Sequence, residues 1–189
     1  MSEIKLNLGG GPKRIEGYKN VDAMEWDGVT DIIQDLTNYP WKIDSESVDK
    51  ILMEECLEHI SFKETTSVLS ECLRILKKSG VLSIQVPDCG KAMEYYVNKQ
   101  ICECCAHKPR NYEDGIADPK CFACGGKGMI HPNRWLYSFT GAQKHEYDTH
   151  KNIFTKDIME RHLKSVGFCD VKIDSDKYGW KLVVDAYKR

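Results

Sequence analysis

Ile4-Lys5-Leu6-Asn7-Leu8 alternates apolar and polar residues and runs straight into Gly9-Gly10-Gly11. The pattern predicts a strand that ends at a glycine loop. Glycines at a strand end let a ligand approach the backbone, and open α/β sheets bind their ligands at strand carboxyl ends. Four further segments repeat the motif of a short strand closed by an acid or a turn. They are Tyr18 to Asp22, Thr30 to Asp35, Val48 to Met53, and Val81 to Val86 followed by Pro87-Asp88.

Helical patterns alternate with these strands. Ser61 and Glu64 are spaced as a capping box, Phe62, Leu69, Leu73 and Leu76 recur at helical intervals, and Ser79-Gly80 marks a stop. Near the C-terminus, Thr155 is placed to cap a second helix, with Phe154 and Met159 as a hydrophobic staple. Ile158, Met159, Leu163 and Val166 form its inner face and Gly167 its end. Phe168 to Ile173 and Trp180 to Tyr187 read as two closing strands around a polar turn. The order predicts an α/β fold, a mostly parallel sheet with helices on both faces and a C-terminal hairpin.

The chain has 189 residues and 21.7 kDa, the size of one domain, so 1–189 is read as a single unit. Apolar residues make up 41% and charged residues 30%, which argues against long disorder. A net charge of -2 excludes a simple polycation that coats nucleic acid or anionic membrane. No apolar run approaches the roughly 20 residues that span a bilayer. The first residues carry no apolar signal region, so a cytoplasmic location is expected.

Nine cysteines are many for such a chain, and five of them fall between 102 and 124. Cys102, Cys105, Cys121 and Cys124 give C-x2-C-x15-C-x2-C, a spacing that folds a tetrahedral thiolate site for Zn2+. Cys104 is an alternative to Cys105, and His107 and His131 are alternative ligands. Residues 100–132 are therefore read as an inserted zinc-binding subdomain. Four thiolates make a closed, structural site. From Lys99 to Arg134 the basic excess is two charges, which four thiolates around a zinc ion would cancel. Nucleic-acid contact is not favoured. Cys56, Cys72 and Cys169 read as core, and Cys89 as exposed near a pocket.

A nicotinamide-type loop needs G-x-G-x-x-G; here Gly9 and Gly11 fit but Arg14 takes the last place. The ordered set Leu6 to Gly11, Gly17 to Asp22, Asp31 to Leu36, Leu57-Glu58-His59-Ile60, Arg74 to Gly80 and Val86-Pro87-Asp88 resembles the class I S-adenosylmethionine-dependent methyltransferases. The likeness is to a small subfamily with L-E-H-I and V-P-D motifs. It returns at His150 to Phe154 and Val166 to Phe168. The resemblance implies a Rossmann-like sheet and S-adenosylmethionine as cofactor. It implies that Leu8, Gly9, Gly10 and Gly11 face the methionine part and Asp22 the ribose hydroxyls. Asp35 and the Leu36 amide would meet the adenine, with Glu54 and Glu55 near the methionine end. Glu58 and His59 are read first as structural.

Two departures stand out. Lys13 holds the place of the family's third glycine, and only nine residues separate Gly11 from Val21, so the first helix must be very short or absent. Methyl transfer requires in-line approach and, for an O- or N-nucleophile, a base. Glu55, Asp88, His145 and His150 are the candidates, His150 because it stands where the family's final histidine does. The expected activity is methyl transfer to a small molecule, sugar or metabolite, with the zinc insertion over the pocket. The alternative is a methyltransferase-like scaffold that presents a zinc knuckle to a protein or nucleic acid.

Overall fold

A computed structural model describes residues 3–98, 137–143, 146–177 and 179–189. The cysteine insertion, its four proposed ligands and His145 lie outside the described residues. Seven strands form one sheet: β1 Lys5–Leu8, β2 Lys19–Asp22, β3 Ile32–Ile33, β4 Val48–Glu54, β5 Leu76–Pro87, β6 Cys169–Ser175 and β7 Lys181–Tyr187. Their spatial order is β3-β2-β1-β4-β5-β7-β6. The first five run parallel, and β7 pairs antiparallel with both β5 and β6. Among the described residues, helices α1 Thr65–Ile75, α2 Cys89–Asn98 and α3 Lys156–Val166 accompany them. No helix among the described residues is long and apolar enough to cross a membrane.

Strand β1 lies inside the sheet, and Leu6, Asn7 and Leu8 are all buried, so both of its faces are covered. Its one buried polar residue needs a partner. Asn7 sits in register with Asn20 on β2 and donates Nδ2–H to Asn20 Oδ1 at 2.9 Å. Asn20 in turn donates its own Nδ2 to the carbonyls of Gly11 and Lys13. The β1–β2 connection contains no helix, as the short spacing required. The buried Asn20 amide group anchors that loop instead.

Helix α3 follows its sequence signals closely. Thr155 Oγ1 accepts from Ile158 N at 3.3 Å, Phe154 and Met159 are buried on either side of the cap, and Gly167 ends the helix at φ 115°. Helix α1 departs from them. It starts at Thr65, its N-cap is Glu64 with no side-chain cap bond, and Phe62 is 64% exposed. The expected capping box is not formed, because Ser61 closes a turn on Lys63 and Glu64. At the other end Leu76 turns extended and pairs with Val48, so β4 captures the chain before Ser79-Gly80 is reached. Helix α2 was not expected from sequence. Asp88 starts it, with Oδ1 accepting from Lys91 N at 2.9 Å.

Candidate active site

The carboxyl ends of β1, β2 and β4 and the segment after β3 open on a cavity of about 750 Å³. Gly9 and Gly11 form part of its wall, and both have positive φ, 65° and 57°. A Cβ at Gly9 would overlap Cys56 Sγ and lie 2.9 Å from Cys56 Cβ. One at Gly10 would meet Asn7 Nδ2 at 2.6 Å and Asn20 Cγ at 2.7 Å. Gly9 and Gly10 are therefore required by what lies beneath them, the β4 exit and the asparagine pair.

Asp22 holds this loop in shape. Its Oδ2 accepts from Gly11 N and its Oδ1 from Met24 N, each at 2.9 Å. Asp35 accepts from both the amide and the hydroxyl of Thr37 at 2.8 Å. Arg14 ion-pairs with Asp31 at 3.2 Å and donates to the Gly28 and Val29 carbonyls. The Asp31 carboxyl is held below its ordinary pKa, first because it accepts from Asn20 N and then because of Arg14.

Of the residues implied as cofactor contacts, Gly9, Gly11, Asp22, Asp35 and Leu36 line the cavity. Leu8 is fully buried beneath it, Gly10 packs on the asparagine pair, and Glu54 accepts a hydrogen bond from Gln85 at 3.3 Å. Among the candidate bases, Glu55 is in the wall, with φ 51° and an ion pair to Lys181 at 3.0 Å. Asp88 caps α2 instead. His150 is behind the wall, where its ring meets the His59 ring edge-on at 4.9 Å. Cys89 is buried rather than exposed, and its thiol donates to Ser138 O at 3.3 Å. Burial pushes that thiol up to about 11. Cys56 and Cys72 are buried, and Cys169 is half-buried.

Other wall residues were missed. Met24 and Trp26 follow the strand-end acid, and Gln34 and Thr37 flank Asp35, so proximity to those acids was the available signal. Tyr147, Asp148 and Lys151 arrive from the far side of the sequence and carry no local signal. Among the described residues the lining holds five carboxylates, Asp22, Asp35, Glu55, Glu64 and Asp148, against one lysine, Lys151. Such a wall favours a cationic ligand.

The second wall is built from the exit of β4. A short 3-10 turn, Leu57–His59, presents the Glu58 carbonyl to the backbone amides of Lys151 and Asn152 at 2.8 and 3.1 Å. His59 Nδ1 donates to Thr149 O at 3.2 Å, and Asn152 Nδ2 donates to Thr65 Oγ1 at 2.7 Å. Glu58 itself is 1% exposed, and among the described residues neither carboxylate oxygen has a hydrogen-bond partner. Burial first, and the nearby Glu55 charge second, push its carboxyl up to about 8. Burial, with His150 close by, holds the His59 imidazolium below its ordinary pKa.

Residues 18–84 match the family model of a methyltransferase domain. No curated protein matches the chain. Among solved structures, an S-adenosylmethionine-dependent methyltransferase of Archaeoglobus fulgidus aligns with a TM-score of 0.58 at 15% identity, over 98% of this chain and 86% of that one. One from Thermotoga maritima aligns at 0.55 and 15%, over 100% and 84%. The 1,6-didemethyltoxoflavin-N1-methyltransferase of Burkholderia thailandensis, solved with S-adenosylhomocysteine, aligns at 0.54 and 14%, over 98% and 70%. The chain thus has the Rossmann-like fold of the class I S-adenosylmethionine-dependent methyltransferases. The methyltransferase-domain match inside that fold supports an enzyme.

Proposed function

We propose that this protein transfers the methyl group of S-adenosylmethionine to a small molecule, sugar or metabolite. One observation carries the reading. The glycine loop, Asp22 and the Asp35-Leu36 turn converge on a single acid-lined cavity at the strand carboxyl ends. S-adenosylmethionine carries a sulfonium and an ammonium, and an acidic wall suits both. Its ribose and adenine suit hydrogen-bond acceptors on adjacent strand ends. The S-adenosylhomocysteine found in the Burkholderia relative of this fold agrees with that choice.

In the reaction, the acceptor's lone pair attacks the methyl carbon in line with the carbon–sulfur bond. That bond breaks, its electrons pass to sulfur, and S-adenosylhomocysteine leaves as a neutral thioether. The acceptor's proton goes to a base. Among the described residues, Glu55 is the member of the sequence-derived set that lines the cavity, where it ion-pairs with Lys181. The four cysteines 102, 105, 121 and 124 are assigned a structural Zn2+ on their spacing, in an insertion that shapes the acceptor side.

Calorimetric titration of the full chain with S-adenosylmethionine and S-adenosylhomocysteine, with NADH as control, tests the cofactor. Micromolar binding of the adenosyl pair and none of NADH is expected. Tighter binding of NADH, or no binding of either sulfur ligand, overturns the reading.

A further inference from the structure

We propose that Glu58, His59 and His150 form a second metal site, for a divalent transition-metal ion such as Zn2+, separate from the cysteine cluster. Each residue offers one ligand atom, and the three atoms lie within 4.8 Å of one another. Ligands about 2.0–2.1 Å from a tetrahedral ion sit about 3.4 Å apart, a spacing that small side-chain rotations reach from here.

The histidines are already set as ligands. His59 Nδ1 faces the Thr149 carbonyl at 3.2 Å, and His150 Nδ1 faces the Ser138 carbonyl at 3.1 Å. A carbonyl can only accept, so each Nδ1 carries the proton and each Nε2 keeps its lone pair. Backbone carbonyls commonly orient metal-bound imidazoles in this way. The two rings meet edge to face, at 78°.

The carboxylate supplies an independent observation. Glu58 is buried, and among the described residues its oxygens have no hydrogen-bond partner. Among the described residues, two neighbouring sets of donors are engaged elsewhere. The amides of Lys151 and Asn152 bind the Glu58 carbonyl, and the Lys181 ammonium pairs with Glu55. A buried carboxylate without a partner is costly, and a bound cation removes that cost. Two imidazoles and one carboxylate match the donor sets of open zinc and iron(II) sites, with a coordination position left for water or an acceptor oxygen. His59 belongs both to this triad and to the cavity wall. An ion here would therefore brace the β4 exit against the 149–152 segment at the edge of the cavity.

Cobalt(II) titration of the metal-free full chain tests the site without using the cofactor, so it stands or falls apart from the methyltransferase reading. Thiolate ligands give cobalt an intense near-ultraviolet charge-transfer band, whereas a nitrogen and oxygen site gives weak visible bands alone. Wild type should bind one cobalt equivalent that adds no thiolate band. Glu58→Gln and His150→Gln should weaken that equivalent at least about tenfold and leave the thiolate-bound fraction intact. If every bound cobalt carries the thiolate signature, the proposal is wrong. The same holds if both folded variants bind as wild type does. Should either variant fail to fold, the wild-type spectrum still decides.

Discussion

The two walls of the cavity treat their acids in opposite ways. On the β1–β3 side three acids are engaged: Asp22 with the amides of Gly11 and Met24, Asp31 with Arg14 and Asn20, and Asp35 with Thr37. On the β4 side Glu58 is buried and, among the described residues, has no hydrogen-bond partner, beside two histidines that could share a metal ion with it. The first wall is held by hydrogen bonds within the fold. The second holds unused ligand capacity. A protein tolerates such a group where something outside the chain completes it.

The comparison breaks most readily at the glycine loop. Gly9→Val adds a side chain into Cys56 at a left-handed φ, and should cost about 2–4 kcal/mol from overpacking and backbone strain together. Thermal melting should show a loss of many degrees, and an unchanged melt would mean that the loop does not rest on the β4 exit.

Next comes Asp22→Ala. It removes the acceptor for two loop amides and should weaken S-adenosylmethionine binding by about 1–3 kcal/mol in calorimetry. Equal affinity would remove Asp22 from the cofactor site.

Glu58→Met probes the opposite wall. It replaces an unpartnered buried acid with an apolar side chain of similar length, so the metal-free variant should melt no lower than metal-free wild type, with a gain of up to about 1–3 kcal/mol. A clear loss of stability without metal would show that Glu58 has a partner within the fold and that the walls are alike.

Thr155→Ala removes the α3 cap next to the second wall and should lower stability by about 1 kcal/mol, read as a shift in denaturation midpoint. The smallest effect concerns Glu71, remote from both walls. It bonds Arg74 Nη2 and Trp41 N at 2.8 Å, and the Arg74 hydrogen bond above all holds its carboxyl below the ordinary range. Its contribution is full above the usual carboxylate range and fades as pH falls through it. Glu71→Gln should flatten the acid limb of the stability curve and leave relative stability nearly constant with pH there. A limb that keeps its wild-type slope would assign the acid sensitivity to other carboxylates.

Local signals carried far along the chain. Alternation marked β1 and β2, the acid at each strand end marked Asp22 and Asp35, and a threonine-to-glycine frame marked α3 almost residue for residue. Each depends on residues within one turn or strand, where the nearest neighbours in sequence set the conformation. The Ser61-Glu64 pair had the same local form and failed, because Ser61 closes a turn on Lys63 and Glu64 and the helix starts only at Thr65. Asp88 looked like a strand-end acid at the pocket and instead caps α2, since the chain turns helical directly after it.

By itself the sequence determined the strand-and-helix order, the glycine loop, the acids at the strand ends and the cysteine spacing. All of these are properties of contiguous residues. Only the tertiary structure decided that Gly9 rests on Cys56, that Asn7 and Asn20 anchor the loop, and that Glu58 and His59 meet His150. Those meetings join distant segments through the β1–β2 register and through the Lys151 and Asn152 amides on the Glu58 carbonyl. Such contacts arise only when the sheet has assembled, because no local pattern encodes which distant backbone will supply the partner.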